Sequence, residues 1–90
     1  MNKICVHCFV SGKVQGVFFR RETQQLSIGL GLTGWVKNTD DNRVEAMICG
    51  EKESVDQLIQ WLSTGPPLAQ VSRVEKIPVP YQVFSAFDVI

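Results

Sequence analysis

No apolar stretch in the chain approaches the roughly 20 residues of a membrane-spanning helix. Residues 1–10 have neither the long apolar region nor the small-residue cleavage site of a secretory leader, so a cytoplasmic protein is expected. Charge of one sign is missing as well. Nine Lys and Arg against nine Asp and Glu give a net charge of zero, which removes the broad electrostatic footprint of a nucleic-acid or membrane-surface binder. Any anion site must therefore be local. There is no low-complexity tract and no internal repeat, and 90 residues that are 44% hydrophobic leave little room for a second core. Residues 1–90 are expected to be one domain, and a monomer is the expected state. Histidine occurs once, as His7, and cysteine three times. The spacing Cys5-Val6-His7-Cys8 invites a metal or redox reading, but residues three apart on a strand point to opposite faces. The two sulfurs cannot then meet one ion, so neither a metal site nor a cofactor is expected.

What the chain does have is the run Gly12-Lys13-Val14-Gln15-Gly16-Val17-Phe18-Phe19-Arg20. An alternating apolar run, Ile4 to Val10, leads into it, and a helix-like stretch from about Arg20 to Ile28 follows. The loop then lies at a strand-to-helix turn, where the first helical amides lack intrahelical partners and carry the positive end of the dipole. Two glycines let such a backbone curl its amides toward an anion, with Arg20 waiting at the helix entrance. The same glycines also suit a tight turn with no ligand. Taken alone, Arg20 reads equally well as a solvated charge, although the dipole disfavours a cation there by a few tenths of a kcal/mol. Asn38 alone reads better as a turn residue, Trp35 as strand packing, and the pair Phe18-Phe19 as an anchor of the first helix on the sheet.

A second cluster, Gly34-Trp35-Val36-Lys37-Asn38, shifts that balance. With the first run, with Gly31-Leu32-Thr33-Gly34, with Gly50 ahead of a helix ending in Trp61-Leu62, and with an aromatic C-terminal strand, the chain resembles the acylphosphatases over nearly its whole length. These are small hydrolases of carboxyl-phosphate anhydrides. The resemblance implies a catalytic arginine at Arg20 and a catalytic asparagine at Asn38. Three departures from the family pattern carry expectations of their own. The chain ends Phe87-Asp88-Val89-Ile90 rather than on a basic or aromatic residue, Gly29 predicts a first helix that is short or frayed, and Asn42 holds a hairpin position often occupied by glycine. Asparagine tolerates a positive φ, so that turn is expected to form.

The order of elements is strand, helix, strand, strand, helix, strand, with a last short strand. Strands are expected over Ile4–Ser11, Thr33–Lys37 and Arg43–Cys49, the last two joined by the turn-rich Asn38-Thr39-Asp40-Asp41-Asn42. A helix from about Glu51 to Ser63 carries Val55, Leu58, Ile59 and Leu62 on one face and stops at Gly65-Pro66-Pro67. This is the α+β class: a βαββαβ ferredoxin-like sandwich with an antiparallel sheet of four to five strands, two helices on one face and the other face open. The first strand then lies between the third and fourth. Val6, Cys8 and Val10 face the helices opposite Val44, Ala46 and Ile48, while Cys5, His7 and Phe9 face outward and Cys5 approaches Cys49. Both a Cys5–Cys49 disulfide and a reduced pair stay open, since cytoplasmic thiols are usually reduced.

The loop holds no histidine, cysteine or close carboxylate pair, which narrows the chemistry. An acyl phosphate leaves as a carboxylate of pKa about 4 to 5, so its leaving group needs no proton, whereas phosphate monoesters expel a far more basic alkoxide. Positioning and charge stabilisation suffice, and amides with one guanidinium supply both. The expected reaction is metal-independent in-line attack by water on phosphorus. The backbone amides of Gln15, Gly16, Val17, Phe18 and Phe19 hold the phosphoryl oxygens, Arg20 grips them, and Asn38 orients the water. Thr39 is assigned either to the support of the loop or of Asn38 through its hydroxyl, or equally to capping the turn. The expected partner is a small-molecule acyl phosphate, with no nucleic acid and no membrane. Two other classes stay open: a single-stranded RNA binder on the open sheet face, and a carbamoyl-handling module such as those inside larger maturation enzymes.

Overall fold

The computed structural model describes residues 2–90. Its elements are β1 (Lys3–Lys13), α1 (Phe19–Gly29), β2 (Thr33–Asn38), β3 (Val44–Glu51), α2 (Lys52–Leu62), β4 (Gln70–Val79) and β5 (Phe87–Val89). They form one sheet in the order β4-β1-β3-β2-β5, antiparallel except for the β2–β5 pair. The α+β ferredoxin-like class is the observed one, with β5 as the added edge strand.

Period-two alternation sets the register. Val6 pairs with Ile48, Cys8 with Ala46 and Val10 with Val44 on the helix side, while Cys5 pairs with Cys49, His7 with Met47 and Phe9 with Glu45 on the other. A slip of one residue would turn the whole apolar set of β1 away from the helices, so this pairing is strongly specified. The main core joins Val6, Cys8 and Val10 to Phe19 of α1 and to Val55, Leu58 and Leu62 of α2. Cys8 has no accessible surface, and burial pushes its thiol up to about 12 against the pull of the Lys76 ammonium, so it stays protonated at neutral pH.

α1 ends on Gly29, with Leu30 as its C-cap. One expectation needs correction: the sheet face away from the helices is not wholly open. β4 and β5 lie on opposite edges of the sheet, so residues 80–86 must cross it to connect them. Phe84 of this crossing, with Trp35 and Val79, packs on a second buried cluster of Cys5, Met47 and Cys49. The Gln82 N–H donates to Cys5 Sγ at 3.2 Å. The chain's end is likewise tied down, the Ile90 N–H donating to the Val36 carbonyl at 3.0 Å.

Under that crossing the Cys5 and Cys49 sulfurs stand at disulfide distance, and the residues are 44 positions apart in the chain. A bridge over that separation removes up to about 4 kcal/mol of denatured-state entropy in the chain-entropy model. Cys5 lies eight residues from Lys13 along β1, roughly 25 Å at the rise of a strand, so the bridge is remote from the glycine loop. Reduction, or Cys49→Ser, is expected to lower the unfolding midpoint by roughly 10 °C or more, up to about 20 °C for the full entropic effect, and to leave turnover within about twofold. Equal midpoints with and without reductant would show that the bond does not form.

Candidate active site

The glycine loop begins where β1 ends, and its two glycines answer to different demands. The register of β1 on β4 shifts between Ser11 and Gly12, and there the strands approach so closely that a Cβ on Gly12 would lie 2.1 Å from the Gln70 carbonyl oxygen. Gly16 has open space around it but a φ of 74°, so its requirement is for left-handed backbone alone. Val14 and Val17, 1% and 5% exposed, pin the loop into the core on either side of Gln15 and Gly16. Phe18, the N-cap of α1, is also left-handed, at φ 65° and ψ 19°. Left-handed residues within a turn bring successive N–H groups together into an anion-binding concavity. Among the described residues, none of the N–H groups from Gln15 to Phe18 donates to a backbone or side-chain acceptor. The first amides of α1 add to these free donors, because no preceding turn supplies their carbonyls.

Phe19 and Arg20 open the helix. Phe19 is 2% exposed and packs its ring 5.6 Å from that of Trp61, fixing the position from which Arg20 projects. No ion pair engages Arg20 among the described residues. Its charge therefore sits without a compensating carboxylate next to unpartnered amides.

Asn38 is the last residue of β2, paired with Val44 across the hairpin. The hairpin is braced by Thr39, whose N–H donates to the Arg43 carbonyl at 2.9 Å and whose Oγ1 accepts from the Arg43 N–H at 2.9 Å. The Thr39 hydroxyl also donates to the Asp41 carboxylate; this bond above all, with the Arg43 guanidinium adding, holds the Asp41 carboxyl below its ordinary range. Of the two assignments for Thr39, turn capping matches its contacts. Asn42 takes the expected positive φ, 68°. Asn38 itself presents a buried Oδ1 with no hydrogen-bond partner among the described residues. An acceptor left in that state calls for an occupant such as water or a ligand donor.

Loop and hairpin are held together by Gln15. Its side-chain Nε2 donates to the carbonyls of Thr39 and Arg43, both at 2.9 Å, so the glycine loop is clamped to the turn that carries Asn38. Gln24 makes a comparable tie from α1, donating to the Phe87 carbonyl at 3.0 Å. The result is an open cavity of about 450 Å³ in which Gly16, Phe18, Arg20 and Asn38 share the lining with Arg21 and Gln24. Phe19 also reaches it, whereas Val17 is buried in the core and Gln15 turns its side chain to the hairpin. Cys5 and Cys49 belong to the second cluster and not to this site. The expected helix anchor divides: Phe19 is the anchor, but Phe18 is 62% exposed and faces the cavity. Gln15's side chain and the cavity positions Arg21, Gln24 and Val89 were missing from the sequence reading, which carried no signal for them beyond their polarity or place in the chain. Among the described residues no three His, Cys, Asp or Glu side chains gather as a metal centre would require.

The sequence pattern of the acylphosphatase family matches residues 6–89. The chain belongs to the acylphosphatase family. An acylphosphatase of Acaryochloris marina (strain MBIC 11017) is 47% identical over 89 residues, spanning 99% of this chain and 96% of that protein. The solved structure of an acylphosphatase from Coxiella burnetii is 46% identical and superposes with a TM-score of 0.95, covering 99% of this chain and 94% of that one. Similarity also extends to HypF of T. kodakarensis, at 34% identity and a TM-score of 0.83, where the match covers 99% of this chain but 12% of that one. Family membership makes the protein a hydrolase of acyl phosphates, and the cavity between glycine loop and hairpin brings Arg20 and Asn38 onto one lining.

Proposed function

We propose that residues 1–90 form a single, monomeric, cytoplasmic acylphosphatase domain that cleaves acyl phosphates by in-line attack of water on phosphorus, without a metal or cofactor. The observation that carries this reading is the placing of Arg20 and Asn38 on one cavity beside a loop of unpartnered amides. The amides of Gln15 to Phe19 take the phosphoryl oxygens, and the planar fork of Arg20 binds them bidentately and offsets their charge. The unpartnered Oδ1 of Asn38 accepts a hydrogen bond from the attacking water and so aligns its lone pair with phosphorus. The water oxygen bonds to phosphorus as the bond from phosphorus to the carboxylate oxygen breaks. The carboxylate departs with the electron pair, and the water's proton passes to a phosphoryl oxygen, since a neutral amide is too weak a base to keep it. A cytoplasmic location is compatible with the Cys5–Cys49 bridge because both residues are 1% or less exposed, so reducing thiolates reach the sulfurs only when the fold opens, as it does during unfolding.

Turnover of acetyl, carbamoyl and benzoyl phosphate in the presence of EDTA, with a phosphate monoester as control and ¹⁸O-labelled water as solvent, tests the reading. Hydrolysis of the acyl phosphates alone, unaffected by EDTA and with the label appearing in inorganic phosphate, is the expected result. Label in the carboxylate would move the attack to carbon, and loss of activity in EDTA would restore a metal. The RNA-binding alternative is weakened by Phe84, which covers one end of the face that such a platform needs.

A further inference from the structure

Phe18 combines two costs that packing does not explain. At φ 65° its backbone is left-handed, a conformation unfavourable for an L residue with a Cβ and one that glycine or asparagine adopts more readily. Its ring is 62% exposed, whereas the ring of Phe19 next to it is 2% exposed and fills the core. Backbone strain of this kind clusters where a ligand is held. The ring lines the cavity that holds Arg20 and Asn38, and it also lines an adjoining groove of about 300 Å³ with Arg21, Glu22 and Gln25. It therefore stands as a wall between the phosphoryl end of the site and the outer face of the first turn of α1. A phosphoryl group held by the loop amides must direct its acyl arm out of the cradle. The exposed apolar side chains in the lining of that cavity are Phe18 and Val89, the latter 39% exposed.

We propose that Phe18 determines acyl specificity, its ring receiving the acyl group so that aromatic and extended apolar acyl phosphates are preferred over acetyl phosphate. The left-handed cap is what turns the ring outward to this position while Phe19 turns inward. An acyl group with a flat apolar face covers the ring and removes both surfaces from water; acetyl is too small to do so. This inference rests on the phosphoryl group occupying the Arg20–Asn38 cavity.

The test compares kcat/KM for benzoyl and acetyl phosphate, and inhibition by inorganic phosphate, in the unmodified protein, Phe18→Gly and Phe18→Leu. Glycine accepts the left-handed backbone, so Phe18→Gly deletes the ring and keeps the cradle. The preference for benzoyl over acetyl phosphate is expected to fall about fivefold to tenfold in Phe18→Gly, mainly through KM for benzoyl phosphate, with Phe18→Leu between. Acetyl phosphate turnover and the inhibition constant for phosphate report any change in the cradle itself, to which Phe18 contributes its amide, so the proposal is read from the ratio of the two substrates. An unchanged preference overturns the proposal, as does an equal loss on both substrates, which would make the ring a support of the cradle. Failure of the underlying reading has a different signature: inorganic phosphate would not compete with either substrate in the unmodified protein, and both conclusions would fall together.

Discussion

Arg20→Ala is expected to lose phosphate binding and turnover together, by about 10² to 10³ or more in rate, as when a preorganised donor is removed from a developing charge. Arg20 lines the cavity beside unpartnered amides, and no ion pair engages it among the described residues. Its whole charge is therefore available to the phosphoryl oxygens. In the proposed mechanism the guanidinium grips them in both the ground state and the transition state, so KM and kcat are expected to worsen at once. Arg20→Lys is expected to recover little, since a point charge does not reproduce the two parallel donors of the fork. Steady-state kinetics with benzoyl phosphate, beside competition by inorganic phosphate, reads both effects. More than half the activity with ordinary phosphate affinity in Arg20→Ala would remove the residue from the site.

Asn38→Ala is expected to behave differently, with kcat nearly abolished while inorganic phosphate still competes at close to its original concentration. The distinction follows from where the two side chains originate. Arg20 stands at the start of α1, where the proposed anion site lies, whereas Asn38 comes from the end of β2 with an Oδ1 that has no partner among the described residues. Removing an acceptor that meets only the water sacrifices alignment of the nucleophile and leaves anion capture alone. A fall in phosphate affinity as large as that in Arg20→Ala would make Asn38 a ligand of the phosphoryl group and end its water-orienting role. Phosphate binding by calorimetry beside single-turnover rates separates the outcomes. Fold loss is checked by thermal unfolding, since Thr39 and not Asn38 braces the hairpin.

Much of this site was legible in the chain because its chemistry is local. Gly16 and Arg20 are four residues apart on one strand-to-helix turn, and the hairpin turn that follows Asn38 is written in the turn-forming run Thr39-Asp40-Asp41-Asn42. The clamp that unites them was not. Gln15 reaches Thr39 and Arg43, residues 24 and 28 positions away, and only the packing of β1 beside β3 brings their carbonyls within reach of its amide. Phe18 and Phe19 are indistinguishable by composition. Their fates separate because the left-handed cap sends one ring to solvent and the other into the core, a conformation that phenylalanine's own preferences argue against.

By itself the amino-acid sequence determined the class of the fold, the apolar stripe of α2, and the pairing of β1 with β3 down to Cys5 opposite Cys49. These follow from periods of 2 and 3.6 residues, and the period of a strand allows one register that buries Val6, Cys8 and Val10 together. Only the tertiary structure decided that residues 80–86 cross the sheet and lay Phe84 over the Cys5–Cys49 pair, that Gln15 locks the loop to the hairpin, and that Phe18 walls the cavity. Each of these depends on the distance between elements far apart in the chain. That distance is set by how helices and strands pack as bodies, and no local period encodes it.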